Sequence, residues 1–200
     1  MASDPDLSCL FATASGQHGY FTTAQARACG FNWNLLTYHT RSGKFTRTHR
    51  GLYRFRDYPS SPRDEVAAAW LAVGKDVAVV SHESALDLYG LSDVIPDSIH
   101  LTVPRSKRYL ATLPGLTIHT TSKSLQPGDI AVRDGIRLTS ATRTILDAAE
   151  VGIGPEQIEL AVRQAIERGL TTRTLLRQAA LERSQRVARL IAGAIDQVTR

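Results

Sequence analysis

Apolar positions in the N-terminal part of the chain recur at two spacings, and the change from one to the other marks the elements. Leu7, Leu10 and Phe11 stand three and four apart, which predicts a short amphipathic helix ending near Gly16. Thr22-Thr23-Ala24-Gln25 has the form of a capping box, so a second helix begins at Thr22 and stops at Cys29-Gly30, where glycine can take the left-handed conformation. Asn32 offers the next N-cap, and a third helix runs through Trp33, Leu35, Leu36, Thr37, Tyr38 and Arg41 to Ser42-Gly43. Two short helices about a glycine turn predict a helix-turn-helix. From Lys44 to Phe55 the pattern becomes threonine- and aromatic-rich around a turn closed by Gly51, which predicts a β-hairpin, or wing.

Asp57-Tyr58-Pro59-Ser60-Ser61-Pro62 then reads as a break. The expected organisation is a winged helix-turn-helix over residues 1–58, a linker over 59–63, and a mixed α/β domain over 64–200. In that second domain Ser61 is the expected N-cap of a helix from about residue 64 to 73, closed by Gly74. Short strands follow around Val77-Ala78-Val79-Val80, at 99–103 and at 116–119, and Ser81 caps a helix that Gly90 ends. Ser140 caps another, Pro155 opens a third, Thr171 caps the next, and Val187, Leu190, Ile191, Ala194 and Val198 stripe the last. The fold class is therefore mixed α/β (α+β) with a helical C-terminal third.

Charge sharpens this picture. The 200 residues carry a formal net charge of +5, and arginine outnumbers lysine 20 to 4. Up to Tyr58 there are seven basic residues against three acidic ones, so most of the excess sits on the predicted winged motif. Six of them fall between Arg41 and Arg56 without an acidic residue among them. Such a concentration on one motif suits a polyanion, because cations that displace condensed counterions supply affinity for a phosphate backbone. With Leu35 and Leu36 turned inward, a 100° step per residue points Asn34, Thr37 and Arg41 outward as base-contact residues, with Trp33, Tyr38 and Thr40 flanking. His39 points inward. Lys44, Arg47, Arg50 and Arg54 are assigned to backbone or wing contacts.

The strings 19–26 (Gly-Tyr-Phe-Thr-Thr-Ala-Gln-Ala) and 41–47 (Arg-Ser-Gly-Lys-Phe-Thr-Arg), with Arg50-Gly51-Leu52-Tyr53-Arg54, resemble the N-terminal region of AbiEi-type antitoxins. The later segments 81–91, 99–104 and 135–147 resemble that family too, so the likeness runs to about Leu181. The resemblance implies a bacterial type IV toxin–antitoxin component. It implies repression of its own operon through inverted repeats in double-stranded DNA, with paired protomers on that DNA, and a C-terminal domain that counters a nucleotidyltransferase toxin. Some longer members carry a restriction-endonuclease-like domain, but this chain has no Glu-x-Lys and ends where that domain would begin. The alternative is an enzyme or enzyme subunit, nuclease-like, that its winged domain targets to nucleic acid.

No enzymatic centre is expected. Ser81, His82 and Asp87 are triad residue types, but adjacency at one helix start does not give triad geometry, and capping accounts for Ser81. His100 and His119 lie on separate strands without a further ligand at metal spacing, so neither a metal site nor a cofactor is expected. Gly43-Lys44 and Gly74-Lys75 lack the rest of a phosphate-binding loop. Asp147 and Glu150 have the spacing of a helix surface, and Arg183, Arg186 and Arg189 that of a solvated face. Cys9 and Cys29 are expected as free thiols in a reducing cytoplasm, and no segment reads as membrane-spanning or exported.

Overall fold

The computed structural model describes residues 4–107 and 114–198. Packing divides the chain into Met1–Val77 with Asp134–Ile136, and Ala78–Arg133 with Arg137–Arg200. The fold is mixed α and β, as the spacing predicts.

In the first unit, α1 (Leu7–Ser15) is capped by Asp6, whose carboxylate accepts from the Cys9 amide at 2.9 Å. Strand β1 (Tyr20–Thr22) leads into α2 (Thr23–Ala28) through the expected capping box: Thr22 Oγ1 accepts from the Gln25 amide at 3.2 Å, and Gln25 Oε1 accepts from the Thr22 amide at 2.8 Å. Asn32 caps α3 (Trp33–Arg41) by accepting from the Leu35 amide at 2.9 Å. The hairpin is β2 (Phe45–His49) and β3 (Leu52–Phe55), and β1 joins it to make an antiparallel sheet in the order β1-β3-β2. Nothing in the local pattern signals β1, because its three residues are fixed by pairing with the distant β3.

Phe45 is fully buried at the centre of this unit. Its ring lies 4.9 Å from that of Phe21, 5.0 Å from Phe55 and 5.1 Å from His39, joining β1, β3 and α3. The edge-on contacts, those to Phe21 and Phe55, add about 0.5–1.5 kcal/mol each beyond the area they bury.

Cys9 of α1 and Cys29 at the end of α2 are bonded to each other as a disulfide, with Cα atoms 5.8 Å apart. This corrects the expectation of free thiols. A sequence separation of 20 hides a pairing that arises because α1 and α2 fold back on one another.

Helix α4 (Asp64–Val73) has the expected span and ends at Gly74, whose φ is 123°. It packs on β1 and β3, and residues 59–63 lie with it inside the first unit. Ser61 shapes the turn before α4: its hydroxyl accepts from the Arg63 amide at 3.2 Å and donates to Asp64 Oδ1 at 3.0 Å.

The second unit is built on a five-stranded sheet in the order β6-β5-β4-β8-β7, from β4 (Val79–Val80), β5 (Ile99–Pro104), β6 (Leu116–Thr121), β7 (Ile130–Arg133) and β8 (Ile136–Thr139). Helix α5 (His82–Tyr89) packs on α6 (Ala141–Val151), which packs in turn on α7 (Pro155–Glu167), α8 (Arg173–Ala180) and α9 (Gln185–Gln197). Ser140 caps α6 as expected. Thr172, one residue beyond the expected Thr171, caps α8, while the Thr171 hydroxyl is buried against that of Thr142 at 2.6 Å.

Parts of two expected surfaces turn out to hold the fold together. Asp147 is 4% exposed, with its carboxylate held by Arg143 Nε at 2.9 Å and by Arg183 Nη2 at 2.7 Å. Arg186 donates to the carbonyls of Ala149 and Glu150 at 2.8 and 2.9 Å, satisfying the open end of α6. Arg183 is therefore drawn into the fold, whereas Arg186 and Arg189 stay exposed, as the spacing predicts. Among the described residues no helix is long and apolar enough to cross a membrane.

The disulfide closes a loop of about 20 residues, which stabilises by about 3 kcal/mol in the chain-entropy account. Reducing it with a phosphine in the intact chain should lower the urea midpoint by the corresponding amount, read by far-ultraviolet circular dichroism. The Cys9→Ser/Cys29→Ser double variant should melt at that lower midpoint with or without reductant.

Candidate nucleic-acid interface

Helix α3 presents a mixed face. Leu36 is buried at 1% exposure and Leu35 is half-buried, which fixes the rotation of the helix. Asn34 and Arg41 then stand exposed on one side, with Thr37 half-buried between them. Thr37 Oγ1 donates to the Trp33 carbonyl at 2.9 Å, so its hydroxyl keeps only acceptor capacity for an outside partner. Trp33 and Tyr38 flank this face at 56% and 64% exposure, large aromatic surfaces that a core does not claim.

His39 is turned inward, as the helical count requires. Its ring packs between Phe31 and Phe45 at 5.8 and 5.1 Å. Burial, with a smaller contribution from the charge of Lys44, pushes its pKa below the ordinary imidazole value.

The hairpin is pinned at its turn and leaves its β2 side exposed. The Gly51 carbonyl accepts from the Thr23 amide at 2.9 Å and from the Thr23 hydroxyl at 3.3 Å, which pins the hairpin turn to the start of α2. Gly51 has φ 77°, a conformation that a residue with a Cβ enters only at a cost. A bulge between Arg47 and His49 lets β2 bend there. Arg50 is exposed in the turn, and Lys44 and Arg47 are exposed on β2 or just before it. The Arg47 guanidinium sits 6.0 Å from the centre of the Trp33 ring, linking the wing strand to the first turn of α3.

Arg54 departs from this set. Its side chain is 13% exposed; Nη2 donates to Asp64 Oδ2 and to the Pro59 carbonyl, both at 2.9 Å. The guanidinium also lies 5.4 Å from the Tyr20 ring and 5.8 Å from that of Tyr58. It is a cation of the fold, turned away from the wing's open side, because β3 is the central strand and its alternate side chains meet α4. The structure thus brings Asn34, Thr37, Arg41, Lys44, Arg47 and Arg50 onto α3 and the hairpin, and takes Arg54 out. Arg27, at the exposed end of α2, is a further cation that spacing along α3 does not reveal.

Residues 10–56 match the family described as a transcriptional regulator, the AbiEi antitoxin. No curated protein matches this chain in sequence. Among solved structures, the chain is similar to the crystal structure of the RV2827C protein from Mycobacterium tuberculosis, with a TM-score of 0.60 and 15% identity over 96% of this chain and 76% of that one. At that identity the likeness concerns the fold.

The two arginines make opposite predictions for stability. Arg54→Ala leaves Asp64 without its cation in a mostly buried setting and should cost about 3 kcal/mol in a denaturant melt. Arg50→Ala, at the exposed turn, should stay within about 0.5 kcal/mol of the parent.

Proposed function

We propose that a chain whose residues 10–56 match the AbiEi antitoxin regulators is a DNA-binding autorepressor and antitoxin of a bacterial toxin–antitoxin operon. The first unit serves as a winged helix-turn-helix that reads an inverted-repeat operator in double-stranded DNA, with protomers paired on the two half-sites. The second unit counters a nucleotidyltransferase toxin. The protein works in the cytoplasm and performs no catalysis of its own.

The observation that carries this reading is the coincidence, on one small unit, of an exposed polar helix face and a basic, anchored hairpin within the segment that matches the family. Asn34, Thr37 and Arg41 take the base edges, with Trp33 and Tyr38 available for apolar contact with the thymine methyl. Lys44, Arg47 and Arg50 take phosphates or the minor groove beside the wing.

Fluorescence anisotropy with the protein's own promoter, and with a scrambled duplex of equal length, tests the proposal. Binding should prefer the promoter and weaken as salt rises. Asn34→Ala should relax the base preference, whereas Arg50→Ala should weaken binding to all DNA and reduce the salt slope by about 1. Equal affinity for promoter and scrambled duplex would overturn the operator reading. Co-expression with the adjacent gene tests the antitoxin role; growth arrest that persists in the presence of this protein would defeat it.

A further inference from the structure

The second unit gathers three histidines that the sequence scatters. His82 opens α5, His100 lies on β5 and His119 on β6. Strands β5 and β6 run parallel with His100 opposite Thr117 and Thr102 opposite His119, so the two histidines share one face of the sheet, two positions apart. His100 Nδ1 and His119 Nε2 are 3.0 Å apart. The chain leaves β4, and the Ser81 amide donates to the His100 carbonyl at 3.0 Å, which brings His82 over the same place. The His82 and His119 rings stack with centroids 3.5 Å apart. One ring nitrogen from each histidine lies within 4.8 Å of those of the other two.

Two features set this cluster apart from histidines that merely fill a core. His82 is held at φ 53°, the left-handed region, although it is neither glycine nor a turn residue and is only 6% exposed. A strained backbone that the surroundings enforce is found where a side chain has to be aimed. Ser81, expected as a helix cap, forms no side-chain cap bond. Its hydroxyl accepts from Thr102 Oγ1 at 2.8 Å and lies 2.9 Å from His82 Nδ1. A proton on that Nδ1 donates to Ser81 and leaves the other ring nitrogen with its lone pair, the arrangement by which an outer partner orients a metal-binding imidazole. Ser81 itself is wholly buried, so its hydroxyl is no nucleophile for an outside substrate.

We propose that His82, His100 and His119 form a binding site for a divalent transition-metal ion, zinc above all, with its remaining coordination position facing the cleft that His82 and His119 line. Three imidazoles and one open position suit zinc's tetrahedral preference and its affinity for nitrogen donors. With Zn–N bonds of about 2.1 Å, tetrahedral ligand atoms stand about 3.4 Å apart. Closing a span of up to 4.8 Å to that figure asks the His82 and His119 rings to turn out of their stacked arrangement. The cleft has a volume of about 720 Å³ and is also bordered by Thr102, Asp147, Arg143 and Arg183. Asp147 is already held by both arginines, so the three histidines form the ligand set without it. Burial pushes the pKa of each imidazole below its ordinary value, that of His82 to about 3.

The test uses the full chain without an affinity tag, stripped of metal by chelator and titrated with zinc chloride by calorimetry and with cobalt chloride by visible absorption. One equivalent of zinc should bind, and the cobalt form should show the intense d–d bands of four-coordination. His119→Gln and His100→Gln should each weaken zinc binding by about 100-fold or more, since loss of even an outer hydrogen-bond partner costs about 10–100-fold. Ser81→Ala should cost within that smaller range, and His49→Gln, on the exposed wing strand, should bind as the parent does. Thermal melts of the metal-free variants separate loss of a ligand from loss of the fold. X-ray absorption on the zinc-loaded parent should show three imidazole ligands, a readout that needs no variant. The proposal is overturned by the absence of saturable one-to-one binding, by a shell with fewer than three imidazoles, or by undiminished affinity in the folded histidine variants.

Discussion

The ring of Phe45 is the point at which a helix and a hairpin become one surface. It sits at the first position of β2, and it meets Phe21 of β1, Phe55 of β3 and His39 of α3 within about one ring diameter of each. If that contact were loosened, α3 and the wing could still form but would no longer share an orientation. In the proposed role, contact with a duplex would depend on that shared orientation more than on either element alone.

Electrostatics follow the same division between holding and reaching. Arginine is the dominant cation, and several copies are spent on holding the fold together. Arg54 secures α4 to the first sheet, Arg143 and Arg183 jointly neutralise Asp147, and Arg186 closes the end of α6. A planar guanidinium suits these tasks because it can donate to several acceptors at once and is less costly to desolvate than an ammonium. The cations left exposed on the hairpin and at its ends are therefore one fewer than the sequence suggests: Lys44, Arg47, Arg50 and Arg56.

Much of the local chemistry was legible in the sequence, though not the roles of Ser61, Ser81 and Thr171, and long-range pairing was not. The caps at Thr22, Asn32 and Ser140, and the glycine ends at Gly74 and Gly90, stand where the residue types require, because a cap is settled within four residues. The inward turn of His39 follows from helical count alone. By contrast, β1, the Cys9–Cys29 bond and the partner of Arg54 each depend on segments meeting across a turn, and spacing carries no sign of that. The histidine cluster is the sharpest case. Two of its members come together through the register of a parallel strand pair, and the third through a helix start, so no linear motif exists to be found.

The ion pair between Arg54 and Asp64 has a consequence for heredity as well as for stability. A gene segment ending at the proline-bracketed turn would carry β3 without the helix that covers it, and would leave a buried guanidinium with no carboxylate to meet. The smallest cassette that recombination could move between proteins with its fold intact therefore extends at least through α4.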